Sequence, residues 1–376
     1  MTSSDRNALA QELLRSRARP KLIDNSAALQ AVTEVYIETN RDHDLDMELE
    51  VIIAQMMNPE IKEGYAVMVT GPSGAGKTKL VTTRLDATPE LQPFEHYGNM
   101  VQWCLRVTTP SACTVRGLGT AILEASGYKM ERAPSEPDVW LTVRNRLPLA
   151  MHKIIFFDEF QHVLKGPKAK GVAHLTNTIK ILMQNPEWPV WLIFAGVPSI
   201  REFIDRDEWF HMDRRVVEIS IDDLKDPFLE PLEEDGSTVE SEAVRTYLDL
   251  DNDGEEQDEE TTDVENMRDI IQAMAGAGGL TVSFPLTDEF MRRLMHGGLW
   301  RFGMTLQIIR MSIEAALWDK ANESRSLRFK HFVAGYGRLS RCDTRSNVLN
   351  APDWQRITRQ VTKKNRLTSG YILRPE

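Results

Sequence analysis

Residues Tyr65–Thr78 read YAVMVTGPSGAGKT, and this stretch decides the fold. Its first half is apolar and β-branched, a composition that favours a buried strand. The second half, Gly71-Pro72-Ser73-Gly74-Ala75-Gly76-Lys77-Thr78, satisfies the pattern GxxxxGK[ST]. Glycines there let consecutive backbone N–H groups turn inward around phosphate oxygens. The helix expected over Lys77–Leu85 adds the partial positive charge of its N-terminus. In such a loop the lysine, Lys77, reaches the β- and γ-phosphates, and the hydroxyl of Thr78 ligates Mg²⁺. The strand before the pattern and the helix after it are the context the pattern requires. ATP and Mg²⁺ are therefore the expected cofactors.

Working outward, four more apolar runs read as strands: Val101–Val107 (VQWCLRV), Lys153–Phe157 (KIIFF), Val190–Ala195 (VWLIFA) and Val216–Ile221 (VVEISI). Helical patterns lie between them at Val115–Ser126, Pro137–Leu149 and Val172–Gln184. Strands alternating with helices predict an α/β fold with a five-stranded parallel sheet flanked by helices. Upstream, Met47–Met57 reads as an amphipathic helix stopped by Asn58-Pro59.

The third strand runs into Asp158-Glu159. A carboxylate at that strand end lies beside the phosphate loop in this fold class. Asp158 is expected to hold Mg²⁺, often through water, and Glu159 to act as general base on the attacking water. Gln161 and His162 follow closely. A lone histidine is more often structural than catalytic, so His162 stays open between the two.

The net charge of −11 is unevenly spread. Glu230–Glu265 holds 16 acidic residues and one basic, a net of −15, which leaves +4 for the rest. Arg325–Glu376 holds 12 basic and 3 acidic residues, a net of +9. The first stretch is too acidic to pack and reads as a flexible insertion. The second reads as a basic working surface or as plain solvated charge. Three scattered cysteines fit reduced thiols in a cytoplasm. The polar N-terminus and the shortness of the apolar run Val190–Val197 lead to the expectation of a cytoplasmic protein without a membrane partner.

The order GPSGAGKT, IIFFDEFQHVL, WLIFAGVPSI, DRRVVEI resembles the AAA+ superfamily and, within it, the transposon-encoded TniB/TnsC-type ATPases. Phe284-Pro285-Leu286, the segment HGGLWRFGMTLQIIRMSIEAAL (His296–Leu317) and the helical lead-in from Met47 extend the likeness to about residues 45–340. The resemblance implies a P-loop AAA+ core with a small helical lid. It implies that ATP sits between neighbouring subunits, and that a homo-oligomer, ring or helical filament, forms on duplex DNA. It also implies partners, a DDE transposase and a target-selector protein. Arg214-Arg215 match the family's arginine finger, and Arg301 its sensor-2 arginine, although surface charge alone also accounts for each. Thr109 and Arg116 are the implied DNA contacts. One departure stands out. Family members carry a polar residue at the end of the fourth strand, where this chain has Ala195-Gly196-Val197-Pro198-Ser199, leaving Ser199 as the candidate.

The expected organisation is an N-terminal helical arm (1–45), an AAA+ core (46–229), the acidic insertion (230–265), the helical lid (266–340) and a basic tail (341–376). The tail is expected to meet a partner through Trp354 and Tyr371-Ile372-Leu373 or to add DNA affinity through its charges. Three functions stay open: a regulator of DNA transposition, another AAA+ or STAND-type switch without that role, and an adaptor that binds ATP without turnover.

Overall fold

The computed structural model describes residues 3–111, 113–130, 134–165, 169–205, 215–225, 262–359 and 371–373. In chain order its helices are α1 (Ser3–Arg17), α2 (Pro20–Glu34), α3 (Asn40–Met57), α4 (Lys77–Ala87), α5 (Val115–Ala125), α6 (Glu136–Leu149), α7 (Ala169–Met183), α8 (Arg201–Asp205), α9 (Asp263–Ala277), α10 (Asp288–Gly297), α11 (Phe302–Trp318) and α12 (Phe329–Ser340). The strands are β1 (Ala66–Thr70), β2 (Phe94–His96), β3 (Asn99–Val101), β4 (Cys104–Thr108), β5 (Ile154–Asp158), β6 (Trp191–Gly196), β7 (Val216–Ser220), β8 (Thr281–Val282), β9 (Ser326–Leu327), β10 (Ile357–Arg359) and β11 (Tyr371–Leu373). The chain divides into two compact units. One comprises residues 37–223 with 301–304; the other comprises 1–36, 224–300 and 305–376.

The first unit is built on a five-stranded sheet in the order β4-β5-β6-β1-β7, every pair parallel. The expected sheet is therefore present. Parallel strands need covered faces, and here alternate residues divide between two cores. Ala66, Met68, Ile155 and Phe157 face α5, α6 and α7. Val67, Val69, Ile154 and Phe156 face α3 and α4. A one-residue slip would exchange the two faces, so this pattern pins the register.

Two local departures from the sequence reading have plain causes. Helix α3 begins at Asn40, ahead of the apolar run, because Thr39 and Asp42 form a capping box that starts it earlier. The second expected strand is split. Asn99–Val101 pairs back on Phe94–His96 as a hairpin, and only Cys104–Thr108 joins the sheet. Tyr97 (φ 49°) and Gly98 (φ 75°) supply the left-handed pair that a two-residue hairpin turn requires.

The second unit is mainly helical. Phe284, Phe290, Phe329 and Phe332 meet edge to face, with centroids 5.0–6.2 Å apart. The beginning of the expected basic tail builds this unit. Trp354 is 5% exposed, with the His296 ring 5.2 Å away and the Arg293 guanidinium 5.7 Å from its centroid. Arg293 also donates to the carbonyls of Leu349 and Ala351. Trp354 is thus a core residue, which corrects its expected role as a partner contact. Tyr371–Leu373 pairs antiparallel with Ile357–Arg359. The charges at Lys363, Lys364 and Arg366, and the acidic stretch through residue 261, lie outside the described residues. Among the described residues no helix is long and apolar enough to cross a membrane.

Candidate functional site

The phosphate loop joins β1 to α4 in the middle of the sheet. Its shape depends on left-handed backbone at Gly74 (φ 86°) and Gly76 (φ 103°), the latter standing immediately before the first residue of α4. Gly71 is held close to the edge strand's exit: a Cβ there would lie 2.9 Å from the Ile221 carbonyl oxygen. Lys77 is 8% exposed, and its Nζ donates to the carbonyls of Gly71 (2.8 Å) and Pro72 (2.9 Å). Burial pulls the ammonium's pKa below its ordinary value, opposed by the nearby Glu159 and Asp158 carboxylates and assisted by Arg301. A buried cation held only by neutral carbonyls is a ready partner for an anion that enters the loop.

Thr78 and Asp158 meet across the site, with the Thr78 hydroxyl donating to Asp158 Oδ1 at 3.0 Å. Adjacent ligands of an octahedral Mg²⁺ at about 2.0–2.1 Å stand roughly 2.9 Å apart. These two oxygens therefore fit neighbouring positions on such an ion.

Beyond Asp158 the chain makes a tight turn. Glu159 is exposed and left-handed (φ 55°), with its N–H on Asp158 Oδ1 at 2.9 Å. Phe160 drives the turn back into the core. Its ring is 1% exposed and lies 4.2 Å from Phe194, 5.1 Å from Phe203 and 5.8 Å from Phe157. The buried ring at 160 leaves the carboxylate at 159 facing outward, on the same side as Thr78 and Lys77. Gln161 then bridges. Its Nε2 donates to Glu159 Oε2 at 2.5 Å, and its Oε1 accepts from the Val197 N–H at 3.3 Å. His162 has a structural bond: Nδ1 donates to the Thr109 carbonyl at 3.1 Å, tying the β4 exit to the turn.

The remaining candidates are distributed as follows. Arg301 lies with the loop, Nη1 donating to the Ser73 carbonyl at 2.9 Å. The segment it starts approaches closely, since a Cβ at Gly303 would fall 2.5 Å from the Gly74 carbonyl oxygen. Ser199 is exposed on a 3-10 turn, Pro198–Ile200, past the end of β6. Arg215 stands just before β7 and pairs with Glu63 at 2.6 Å, a contact that holds the Glu63 carboxyl below its usual pKa range. Val216 is in register with Ala66, at the opposite end of β1 from the loop. At about 3.3 Å per residue, Arg215 is roughly 16 Å or more from the phosphate loop of its own chain. Arg214 lies outside the described residues.

Arg116 is exposed in the first turn of α5. Thr109, the other expected DNA contact, is buried and exposes no side chain to a nucleic-acid backbone. It is 2% exposed, because its N–H carries the β4–β5 ladder one residue further, to the Asp158 carbonyl at 3.0 Å. Gln161 is the site residue that sequence reasoning passed over. The only signal for it was the missing polar residue at the end of the fourth strand.

Comparison with known proteins gives three results. The family described as "Bacterial TniB protein" matches residues 32–224, just over half of the chain. No curated protein matches the sequence. Among solved structures, the Aeropyrum pernix ORC2 protein in its ADPNP-ADP complexes is similar at a TM-score of 0.52 and 13% identity, over 84% of this chain and 75% of that one. The ADP form of the same protein gives 0.51 and 12%, over the same shares. At such identity the likeness concerns the fold, which is of the AAA+ type.

Proposed function

This chain belongs to the bacterial TniB family, and from that membership we propose that it is an Mg²⁺-dependent ATPase that assembles on duplex DNA and links target selection to a DDE transposase. The observation that carries the ATPase reading is the convergence of a buried Lys77, a Thr78–Asp158 pair 3.0 Å apart and an outward Glu159 at one end of the sheet.

Each residue then has a task. Lys77 turns from the loop carbonyls to the β- and γ-phosphates, with the loop N–H groups around them. Thr78 and Asp158 would hold Mg²⁺, which when bound neutralises charge on the phosphate oxygens. Glu159 accepts the proton of the attacking water. Arg301 stays close enough to the loop to sense which nucleotide is present. Arg215 is too far from its own loop, so it serves as the finger for a neighbouring subunit once released from Glu63, together with Arg214. Arg116 contacts the DNA backbone, with the basic residues beyond 359 adding affinity or meeting the transposase.

The nucleotide chemistry and the assembly are tested separately. Calorimetric titration with ATP and a turnover assay, each with and without duplex DNA, test the nucleotide chemistry; absence of binding sinks it. Electron microscopy with duplex DNA and a non-hydrolysable ATP analogue tests assembly. Monomers throughout would favour a switch without a DNA role. Backbone-directed binding also requires that affinity fall steeply between low and physiological salt.

A further inference from the structure

We infer that Gln161 is a positioning residue for the ATPase reaction, a two-handed amide that fixes the Glu159 carboxylate to the exit of β6. The inference rests on the ATPase reading above.

β6 lies between β1, which leads into the phosphate loop, and β5, which leads into Asp158-Glu159. The exit of β6 is thus the natural place for a polar group serving both sides. This chain puts Ala195-Gly196-Val197 there and supplies no side-chain donor or acceptor of its own. Gln161 fills that place from the neighbouring turn, through the 3.3 Å bond from Val197 N–H and the 2.5 Å bond to Glu159.

The glycine makes room for it. A Cβ at Gly196 would lie 2.6 Å from Gln161 Oε1 and 2.7 Å from Ile200 Cγ2. Real Cβ contacts do not come that close, so Gln161 seats only against glycine. The apparent loss at the end of the fourth strand and the glutamine two residues after Glu159 are therefore two halves of one device.

Its chemistry follows from the amide. A carboxamide is both donor and acceptor, so one side chain can hold a carboxylate and a backbone N–H together. Donation to Oε2 occupies one oxygen of Glu159 and leaves Oε1 to accept from water. Glu159 is otherwise exposed on a single-residue turn, and an unrestrained carboxylate there would sample several rotamers. A displacement of about 1 Å in a reacting group can cost roughly 100-fold in rate.

Three variants and a double variant test the inference, with Lys77→Ala as the blank. Gln161→Ala should lower kcat about 10- to 100-fold while ATP affinity by calorimetry stays within about twofold. Gln161→Glu keeps the shape but loses the donor and should fall at least as far. Gly196→Ala displaces an intact Gln161 and should give the same split between kcat and affinity. Joined with Gln161→Ala, it should add almost nothing, because both remove one interaction. Melting temperatures near wild type show that each variant is folded. Wild-type kcat in Gln161→Ala or in Gln161→Glu, or full additivity of the pair, overturns the inference. So does a rise in kcat for Gln161→Ala, which would make Gln161 a latch. If wild type itself shows no turnover above the Lys77→Ala blank, the ATPase reading falls and takes this inference with it. Turnover equal in wild type and Gln161→Ala removes the inference alone.

Discussion

Around this site the backbone is left-handed in two regions that use different residues for it. In the phosphate loop the positions are Gly74 and Gly76. After β5 the position is Glu159, with φ 55°. Glycine adopts this conformation freely, whereas a residue with a Cβ is strained there by about 1–2 kcal/mol. The difference follows from what each region contributes. On the ATPase reading proposed above, the loop works through its backbone N–H groups, so a side chain is dispensable. On the same reading the turn works through a carboxylate, so the side chain stays and the strain is accepted, held in place by the buried Phe160. Strain kept at a reacting residue by the surrounding core is a recurrent arrangement in active sites.

The contrast can be broken most severely at the carboxylate. Glu159→Gln keeps the shape of the turn and removes the base, so turnover should fall by about 10²–10⁴ while ATP binding persists. A wild-type rate in a phosphate-release assay would remove Glu159 from its assigned role. Next comes the anchor. Phe160→Ala empties a fully buried aromatic site and should destabilise the protein by about 3–5 kcal/mol, read from the urea midpoint. A loss below about 1 kcal/mol would mean that the ring does not hold the turn.

Lys77→Ala removes the loop's one side-chain cation. Losing its charge-assisted bonds should weaken ATP binding roughly 100-fold, measured by calorimetry. Unchanged affinity would mean that the loop binds nothing in the expected way. The smallest effect is the most diagnostic. Glu159→Gly should raise stability by no more than about 1 kcal/mol, because glycine relieves the left-handed strain at the expense of a more flexible unfolded chain. A destabilised variant would show that the side chain's bond to Gln161 outweighs the strain.

Much of this was legible in the sequence, for identifiable reasons. The three inner strands β5, β6 and β1 are continuous apolar runs, as a doubly covered parallel sheet requires, and the loop motif carries its own geometry. Asp158 and Glu159 could be located because the strand before them is unambiguous. Thr109 was carried over from the family resemblance, which says nothing of how far the strand ladder extends in this chain. Here the ladder runs one residue longer and buries it. Gln161 was passed over because its partners, Glu159 and Val197, come from different elements. Arg301 was found by its place after two glycines, while its bond to the Ser73 carbonyl across 228 residues of sequence had no local signal. Trp354 looked like a spare aromatic in a charged tail, since the groups that bury it, His296 and Arg293, lie some sixty residues earlier.

The Val197 amide has a consequence of its own. It lies just past β6, and its hydrogen bond runs to a side chain instead of to a neighbouring strand. Its solvent exchange should therefore follow the occupancy of one glutamine rotamer, while the amides inside β6 exchange only with wider opening of the sheet. A single resonance in an amide-exchange spectrum thus gives a local reading of the Glu159 end of the sheet, one that can be followed as nucleotide is added.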